Sequence, residues 1–213
     1  CAIPAGPQLR HPTGVGTLLA DDPSLNVRLS PADLPGVGPD GMVRQPLRVV
    51  VDSRLRTPPT ARLLALPGQT LIVCQEWEAG PGSQVDDAAS FSRDDPNSRM
   101  GGAASRLEAA GAGILMIPAG PGGVDLETLL RYLARMEINE VLIEAGATLA
   151  GSALQAGLVD ELVLYLAPHL MGDAGRGLFH LTGLERMADR LALHIQDLRQ
   201  IGPDLRLTVV RKG

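Results

Sequence analysis

The chain has 213 residues, of which 45% are hydrophobic and 2% aromatic, and it carries a formal net charge of −5 at pH 7. This length is sufficient for one domain with a substantial core, and no apolar run approaches the ~18 residues that a membrane-spanning helix requires. The negative charge and the scarcity of aromatic rings argue against a nucleic-acid partner, because such partners are bound by basic patches and stacking platforms.

The first half of the chain predicts two strands separated by short or irregular segments. Leu47–Val51 and Thr70–Cys74 are apolar runs bounded by polar or turn residues, which is typical of strands. Ala61–Leu66, between them, predicts a short helix or turn. Glu78–Gly102 is polar and rich in glycine and proline, so it predicts a long exposed loop.

The second half predicts helices and strands in alternation. Strands are expected at Ile114–Ile117, Ile138–Ile143 and Leu162–Ala167. The helices expected between and after them are an amphipathic helix at Asp125–Met136, a helix at Thr148–Gln155 and a short helix at Leu184–Ala188. Two alternating apolar runs around Gly202 and Pro203 then predict an antiparallel hairpin. Strands alternating with helices imply an α/β fold with a mostly parallel sheet.

A strand, a turn and a helix meet between residues 141 and 152. Val141–Ile143 predicts a buried strand, Glu144 stands at its carboxyl end, and Thr148 is predicted as the N-cap of the helix. A helix N-terminus after a parallel strand suits a phosphate group, because unpaired N–H groups and a partial positive charge lie there. Small residues at such a turn can equally serve tight packing alone.

Four segments of the sequence together resemble one known family. They are Thr17–Leu25, Arg48–Arg54, Val141–Ser152 and the continuation Ala153–Leu170. In order and content they are similar to the reductase domain of the bifunctional riboflavin-biosynthesis deaminase/reductase, the 5-amino-6-(5-phosphoribosylamino)uracil reductase, from about Thr13 to the C-terminus. The resemblance implies a dihydrofolate-reductase-like fold in a single domain over residues 1–213. Such a fold has a mostly parallel central sheet flanked by helices, with a C-terminal antiparallel hairpin.

The resemblance also implies which residues bind ligands. Contacts with the cofactor NADPH are expected from Thr17, Asp21, Ser53, Gly146, Ala147, Thr148, Leu149, Ala150, Gly151 and Ser152. Contacts with the substrate are expected from Leu25, Arg28 and Glu144. No catalytic acid is identifiable from the sequence, since Glu144, a bound water or a group of the substrate could each donate the proton.

Several of these residues also have an ordinary structural interpretation. Arg28 can be a solvated surface arginine, and Asp21 can belong to a pair that only caps a turn. Ser53 and Arg54 either receive the adenosine 2′-phosphate or close a loop. Glu144 either binds the uracil ring or stands solvated at a strand end.

The implied reaction reduces the ribosylamino sugar, in its open-chain form, to a ribitylamino group, with hydride from NADPH delivered to C1′. Two alternatives stay open: another NADPH-dependent reductase of this fold with a pterin- or pyrimidine-like substrate, and a non-catalytic nucleotide-binding domain. The four histidines show no zinc spacing, so no metal is expected. The family is often dimeric, and the signatures of its zinc deaminase half are absent from this sequence.

Two further expectations concern the compartment and the amino-terminal region. Cys1 and Cys74 form no CxxC pair, and the start lacks a signal-peptide pattern, which fits a cytoplasmic protein. The family places a strand, an Asp-Gly-type turn and a helix ahead of the region that matches Thr13. Only Cys1–Pro12 precede Thr13 here, and their prolines disfavour a long strand, so these family elements are expected to lack a counterpart.

Overall fold

The computed structural model describes residues 10–28, 43, 45–76 and 99–212. The chain divides into two compact units, Cys1–Gly146 and Ala147–Gly213. Within the described ranges, no helix is both long enough and apolar enough to cross a lipid bilayer.

A four-stranded parallel sheet organises the first unit. Its strands, in both chain order and spatial order, are β1 (Arg10–Gly14), β2 (Leu47–Val51), β3 (Thr70–Gln75) and β4 (Gly113–Ile117). The register places Gly14 opposite Val51, and Val51 opposite Val73. Because parallel strands all end at the same edge, the segments that follow the four strands gather there.

Helices cover both faces of this sheet. They are α1 (Val15–Asp21), α2 (Arg62–Ala65), α3 (Arg99–Ala109) and α4 (Leu126–Arg135). The adjacent residues Val49 and Val50 are both fully buried, but they belong to different apolar clusters. Val50 shares its cluster with Leu63 of α2 and Leu107 of α3, whereas Val49 shares the other with Leu133 of α4. Near-continuous apolar strands of this kind are typical of a sheet that is buried on both faces.

Local patterns located most of these elements correctly. The strands β2, β3 and β4 and the helices α2 and α4 form within two residues of their predicted bounds. α4 begins after Asp125, whose carboxylate accepts hydrogen bonds from the Glu127 N–H (3.1 Å) and the Thr128 hydroxyl (2.9 Å). The hydrogen bond from Thr128 lowers the pKa of the Asp125 carboxyl group. A short hairpin, β5 (Ala119–Gly120) with β6 (Gly123–Val124), connects β4 to α4.

The predicted strand over Ile138–Ile143 is wrong. Only Val141 forms an isolated bridge, Leu142 is 37% exposed, and none of the sheets among the described residues includes this segment. The chain runs beside β1 at one point, where the Glu144 N–H donates to the Pro12 carbonyl (3.1 Å). An apolar run becomes a buried strand only when it has neighbours to cover it, and this one remains partly open.

One predicted loop and one expectation about a strand also need correction. The loop predicted over Glu78–Gly102 lies outside the described residues up to position 98, and its last four residues belong to α3 instead. Gly101 is buried there, and its carbonyl accepts a hydrogen bond from the Ser105 hydroxyl (3.0 Å). The prolines ahead of Thr13 are expected to disfavour a strand, yet β1 forms across Pro12; β1 is the outer strand of the described sheet, where a residue without an N–H is tolerated. Residues 1–9 lie outside the described ranges.

The second unit combines one helix with an antiparallel sheet. The helix is α5 (Ala147–Gln155), and the sheet has the order β7 (Glu161–Leu166), β9 (Asp204–Arg211) and β8 (Leu193–Ile201). The predicted hairpin is confirmed, with Gly202 (φ 61°) in its turn. The predicted short helix is a 3-10 turn at Met187–Asp189. Because α5 already begins at Ala147, the prediction that Thr148 is its N-cap is wrong.

Candidate functional site

The carboxyl edge of the parallel sheet carries several of the candidate residues of the first unit, among them Thr17 and Ser53. α1 begins directly after Gly14 at the end of β1, Ser53 follows β2, and Gln75 ends β3. In open α/β sheets this edge is where ligands bind, because loops and helix N-termini converge on it. The opposite edge, where β3 begins at Thr70, lies close to the predicted substrate residue Arg28, because the N–H of the preceding Val27 donates to the side-chain oxygen of Gln45 (3.0 Å), two residues before β2.

Thr17 and Gly146 lie in contact, although they are 129 positions apart in the sequence. The Gly146 N–H donates to the Thr17 hydroxyl oxygen at 3.0 Å. A Cβ atom at position 146 would lie 3.3 Å from that oxygen, so the position has little room for a side chain on this side. The structure therefore brings together two residues that the family resemblance assigns to the cofactor.

A closed turn follows β2 and contains Ser53. The Asp52 carboxylate is fully buried, and one of its oxygens accepts from both the Thr57 N–H (2.7 Å) and the Thr57 hydroxyl (2.8 Å). The Leu55 N–H donates to the Asp52 carbonyl (3.1 Å). Ser53 is half-buried and Arg54 is exposed, so both retain polar groups at the surface of this turn.

The hairpin between β5 and β6 packs against the same turn. The Gln75 side-chain amide donates to the Gly123 carbonyl (2.7 Å), and the Gln75 backbone N–H donates to the Ser53 carbonyl (3.4 Å). A Cβ atom on Gly123 would lie only 2.8 Å from the Ser53 hydroxyl oxygen. The sequence analysis did not predict that Asp52, Gln75 and Gly123 shape this part of the structure. The available indication was that Asp52 and Gln75 are polar residues at the ends of apolar strands.

The segment after α1 divides between structural and exposed residues. Asp22 has a left-handed backbone (φ 40°), and its carboxylate accepts from the Arg62 N–H (2.9 Å), so this acid caps the start of α2. Leu25, also left-handed (φ 45°), packs against the core cluster of Val50. Asp21 and Arg28 are exposed.

Tight packing explains one glycine of α5. A Cβ atom on Gly151 would collide with the backbone oxygen of His180, and the His180 N–H donates to the Ala147 carbonyl (2.9 Å). Thr148 is exposed and Ser152 is half-buried. The structural interpretation thus accounts for Gly151 within its own unit.

The chemistry available to the described residues is limited. No group of three or more His, Cys, Asp or Glu side chains among them is close enough to hold a metal ion. Burial, with a smaller contribution from nearby Asp52, raises the pKa of the Cys74 thiol to about 12. Cys74 is therefore protonated at neutral pH and unsuited to act as a nucleophile.

A family model described as the RibD C-terminal domain matches residues 13–207. The chain belongs to this family. RibD from Escherichia coli K12 is 39% identical over 93% of this chain and 47% of its own length. A relative from Methanothermobacter thermautotrophicus, named 2,5-diamino-6-ribosylamino-4(3H)-pyrimidinone 5′-phosphate reductase, is 34% identical over 94% of this chain and 78% of its own length.

A solved structure gives the same result for the fold. Acinetobacter baumannii RibD superimposes with a TM-score of 0.69 at 31% identity, covering 95% of this chain and 47% of that one. The predicted family and the predicted α/β fold class are confirmed. As a member of the RibD C-terminal domain family, the chain spans about half the length of the RibD relatives that it matches.

The packing role of Gly151 can be measured. Gly151→Ala should lower the free energy of unfolding by about 1–3 kcal/mol, because its methyl group would collide with a backbone atom that cannot move aside as a side chain would. Urea unfolding followed by circular dichroism measures this. The control is Gly172→Ala, where no heavy atom lies within 4 Å. An unchanged or higher midpoint for Gly151→Ala would contradict the packing interpretation, since alanine is otherwise the better helix former.

Proposed function

We propose that the chain is an NADPH-dependent oxidoreductase that reduces 5-amino-6-(5-phosphoribosylamino)uracil to its ribitylamino product in riboflavin biosynthesis. The observation that carries this proposal is the hydrogen bond between Thr17 and Gly146, beside the carboxyl edge of the parallel sheet. It joins two distant segments that the family resemblance assigns to the cofactor. The names of the relatives supply the reaction class, and the exposed polar residues at this edge supply the groups that the ligands require.

The cofactor fits the residues that surround this contact. Thr17 fixes the backbone at Gly146, immediately before α5, whose nine residues are enough for N-terminal N–H groups to favour a phosphate. We assign NADPH to Thr17, Asp21, Ser53 and the segment Gly146–Ser152. The bound cofactor supplies a hydride, and the protein supplies position and the exclusion of water.

The substrate is assigned to Leu25, Arg28 and Glu144. The exposed guanidinium of Arg28 can pair bidentately with the ribose phosphate. The exposed carboxyl group of Glu144 can bind the pyrimidine ring. Glu144 is also our candidate for the donor of the proton that must accompany hydride transfer. The side chain of Leu25 packs against the buried cluster of Val50, so Leu25 would form a fixed wall rather than an adaptable one.

The proposed activity is tested by incubating the protein with NADPH and the phosphoribosylaminopyrimidine, and recording the absorbance of the reduced nicotinamide. We expect NADPH consumption only when the substrate is present, with the ribitylamino compound as product. Consumption with a pterin but not with this substrate would assign the chain to a different reductase activity. We further propose that the protein is cytoplasmic. We also propose that a zinc deaminase domain outside this sequence supplies its substrate.

The role of Arg28 gives a prediction about the substrate. Arg28→Ala should raise KM for the phosphorylated substrate by at least tenfold, because a charge-assisted bidentate pair is worth about 1.5–3 kcal/mol. Arg28→Lys should recover only part of the loss, since an ammonium group cannot reproduce the planar fork. The matched control is Arg131→Ala, on the exposed face of α4, where Arg131 pairs with Glu127. Equal KM values for wild type and Arg28→Ala would show that Arg28 is a surface charge.

The role of Gly146 gives a prediction about the cofactor. Gly146→Val should weaken NADPH binding by at least tenfold, because a branched side chain would crowd Thr17 and the path of the phosphates. Isothermal titration with NADPH measures the affinity, and circular dichroism verifies the fold. Gly172→Val, at a position with open space, serves as the control. A correctly folded Gly146→Val protein with wild-type affinity would remove this glycine from the cofactor site.

We also propose a homodimer, as the family resemblance implies. One face of the antiparallel sheet carries the apolar residues Leu193, Ile195 and Leu198, each about half exposed, and patches of this kind mark protein contacts. Ile195→Asp should shift the protein from dimer to monomer in analytical ultracentrifugation. His194→Asp, on the opposite face of the same strand, should leave the dimer intact. A monomeric wild type would contradict this proposal.

A further inference from the structure

Asp52 is an unusual residue to find at the end of a buried strand. Its side chain is fully buried, and only one carboxylate oxygen has hydrogen-bond partners, both supplied by Thr57. The other oxygen is buried and makes no hydrogen bond with any part of the chain that the structure describes. Burying a polar group in this way is costly, so the contact with Thr57 must serve a purpose that an apolar residue could not.

The hydrogen bonds between Thr57 and Asp52 close a backbone turn. Residues 53–56 form the turn between the two partners, and Leu55, with φ 50°, is buried in the core while its N–H donates to the Asp52 carbonyl. A non-glycine residue at positive φ is strained and persists only where the surroundings hold it. The turn is therefore anchored at both ends and in the middle. Ser53 and Arg54 are the residues that this arrangement fixes.

A second set of contacts holds the same turn from the direction of β3. Gln75 binds the Ser53 carbonyl through its N–H and the Gly123 carbonyl through its side chain. The absence of a side chain at Gly123 leaves just enough room for the Ser53 hydroxyl. Ser53 is thus confined from two independent sides at the ligand-binding edge of the sheet.

We propose that Asp52 and Thr57 are positioning residues that set the preference for NADPH over NADH. This inference rests on the proposed function and deepens it. The two cofactors differ by the 2′-phosphate of the adenosine ribose, a dianionic group that a serine hydroxyl and an arginine guanidinium can bind together. Binding energy is gained only when such groups are held in place beforehand, since ordering them on binding offsets it. The hydrogen bonds between Asp52 and Thr57 hold Ser53 and Arg54 in this way.

Three variants separate positioning from mere stability. Thr57→Val is nearly isosteric and removes the hydrogen bond from the hydroxyl group to Asp52, whereas Thr57→Ser keeps it. The control is Thr70→Val, which removes a buried hydroxyl group that has no hydrogen-bond partner in the described structure. The Kd values of NADPH and NADH are measured for each by titration calorimetry. Thr57→Val should weaken NADPH binding about fivefold and change NADH binding less than twofold. Thr57→Ser and Thr70→Val should both match the wild type.

Each other outcome counts against the inference. Equal losses for NADPH and NADH in Thr57→Val, or no loss in a folded protein, would overturn it. If Thr57→Val does not fold, the exposed residue Arg54 provides the test, because Arg54→Ala must then lower the preference for NADPH without changing the Kd of NADH. Wild-type protein that binds neither cofactor would contradict the proposed function itself, whereas wild-type binding without any discrimination would contradict only this inference.

Discussion

The parallel register of β1 to β4 is the constraint on which the rest of the first unit depends. Four strands that run in one direction, in chain order, bring the start of α1, the turn after Asp52 and the end of β3 to a single edge. Without that register, Thr17 could not reach Gly146, and Gln75 could not reach the hairpin at Gly123. The burial of apolar residues on both faces maintains the register, because a slip would displace every buried valine from its cluster.

The two edges of this sheet use polar residues in different ways. At the amino edge, the buried guanidinium of Arg48 donates to the carbonyls of Leu66 (3.1 Å) and Gly68 (2.9 Å), which closes the loop before β3. Burial lowers the pKa of Arg48. At the carboxyl edge, Thr17 and Asp52 instead fix backbone segments whose neighbouring residues remain exposed. At the amino edge the polar contacts close a loop, whereas at the carboxyl edge they fix turns that leave polar residues exposed.

Sequence patterns predicted the elements that local chemistry determines, and failed where distant residues decide. The apolar runs of β2 and β3 and the face of α4 carry their own periodicity, so their bounds were predicted closely. β1 has no such pattern and exists because it pairs with β2. Thr148 was expected to cap a helix, but the hydroxyl that receives the Gly146 N–H comes from Thr17. The hydrogen bonds from Thr57 to Asp52 likewise cannot be predicted from the sequence without the fold.

We propose above all that the carboxyl edge of the parallel sheet binds the nicotinamide cofactor. Titration of ¹⁵N-labelled protein with NADPH, followed by amide chemical shifts, tests it most directly. We expect the amide signals of Thr17, Ser53 and Gly146 to shift, and those of Gly68 and Thr70 at the opposite edge to stay in place. Shifts confined to the amino edge, or a spectrum that NADPH leaves unchanged, would contradict it.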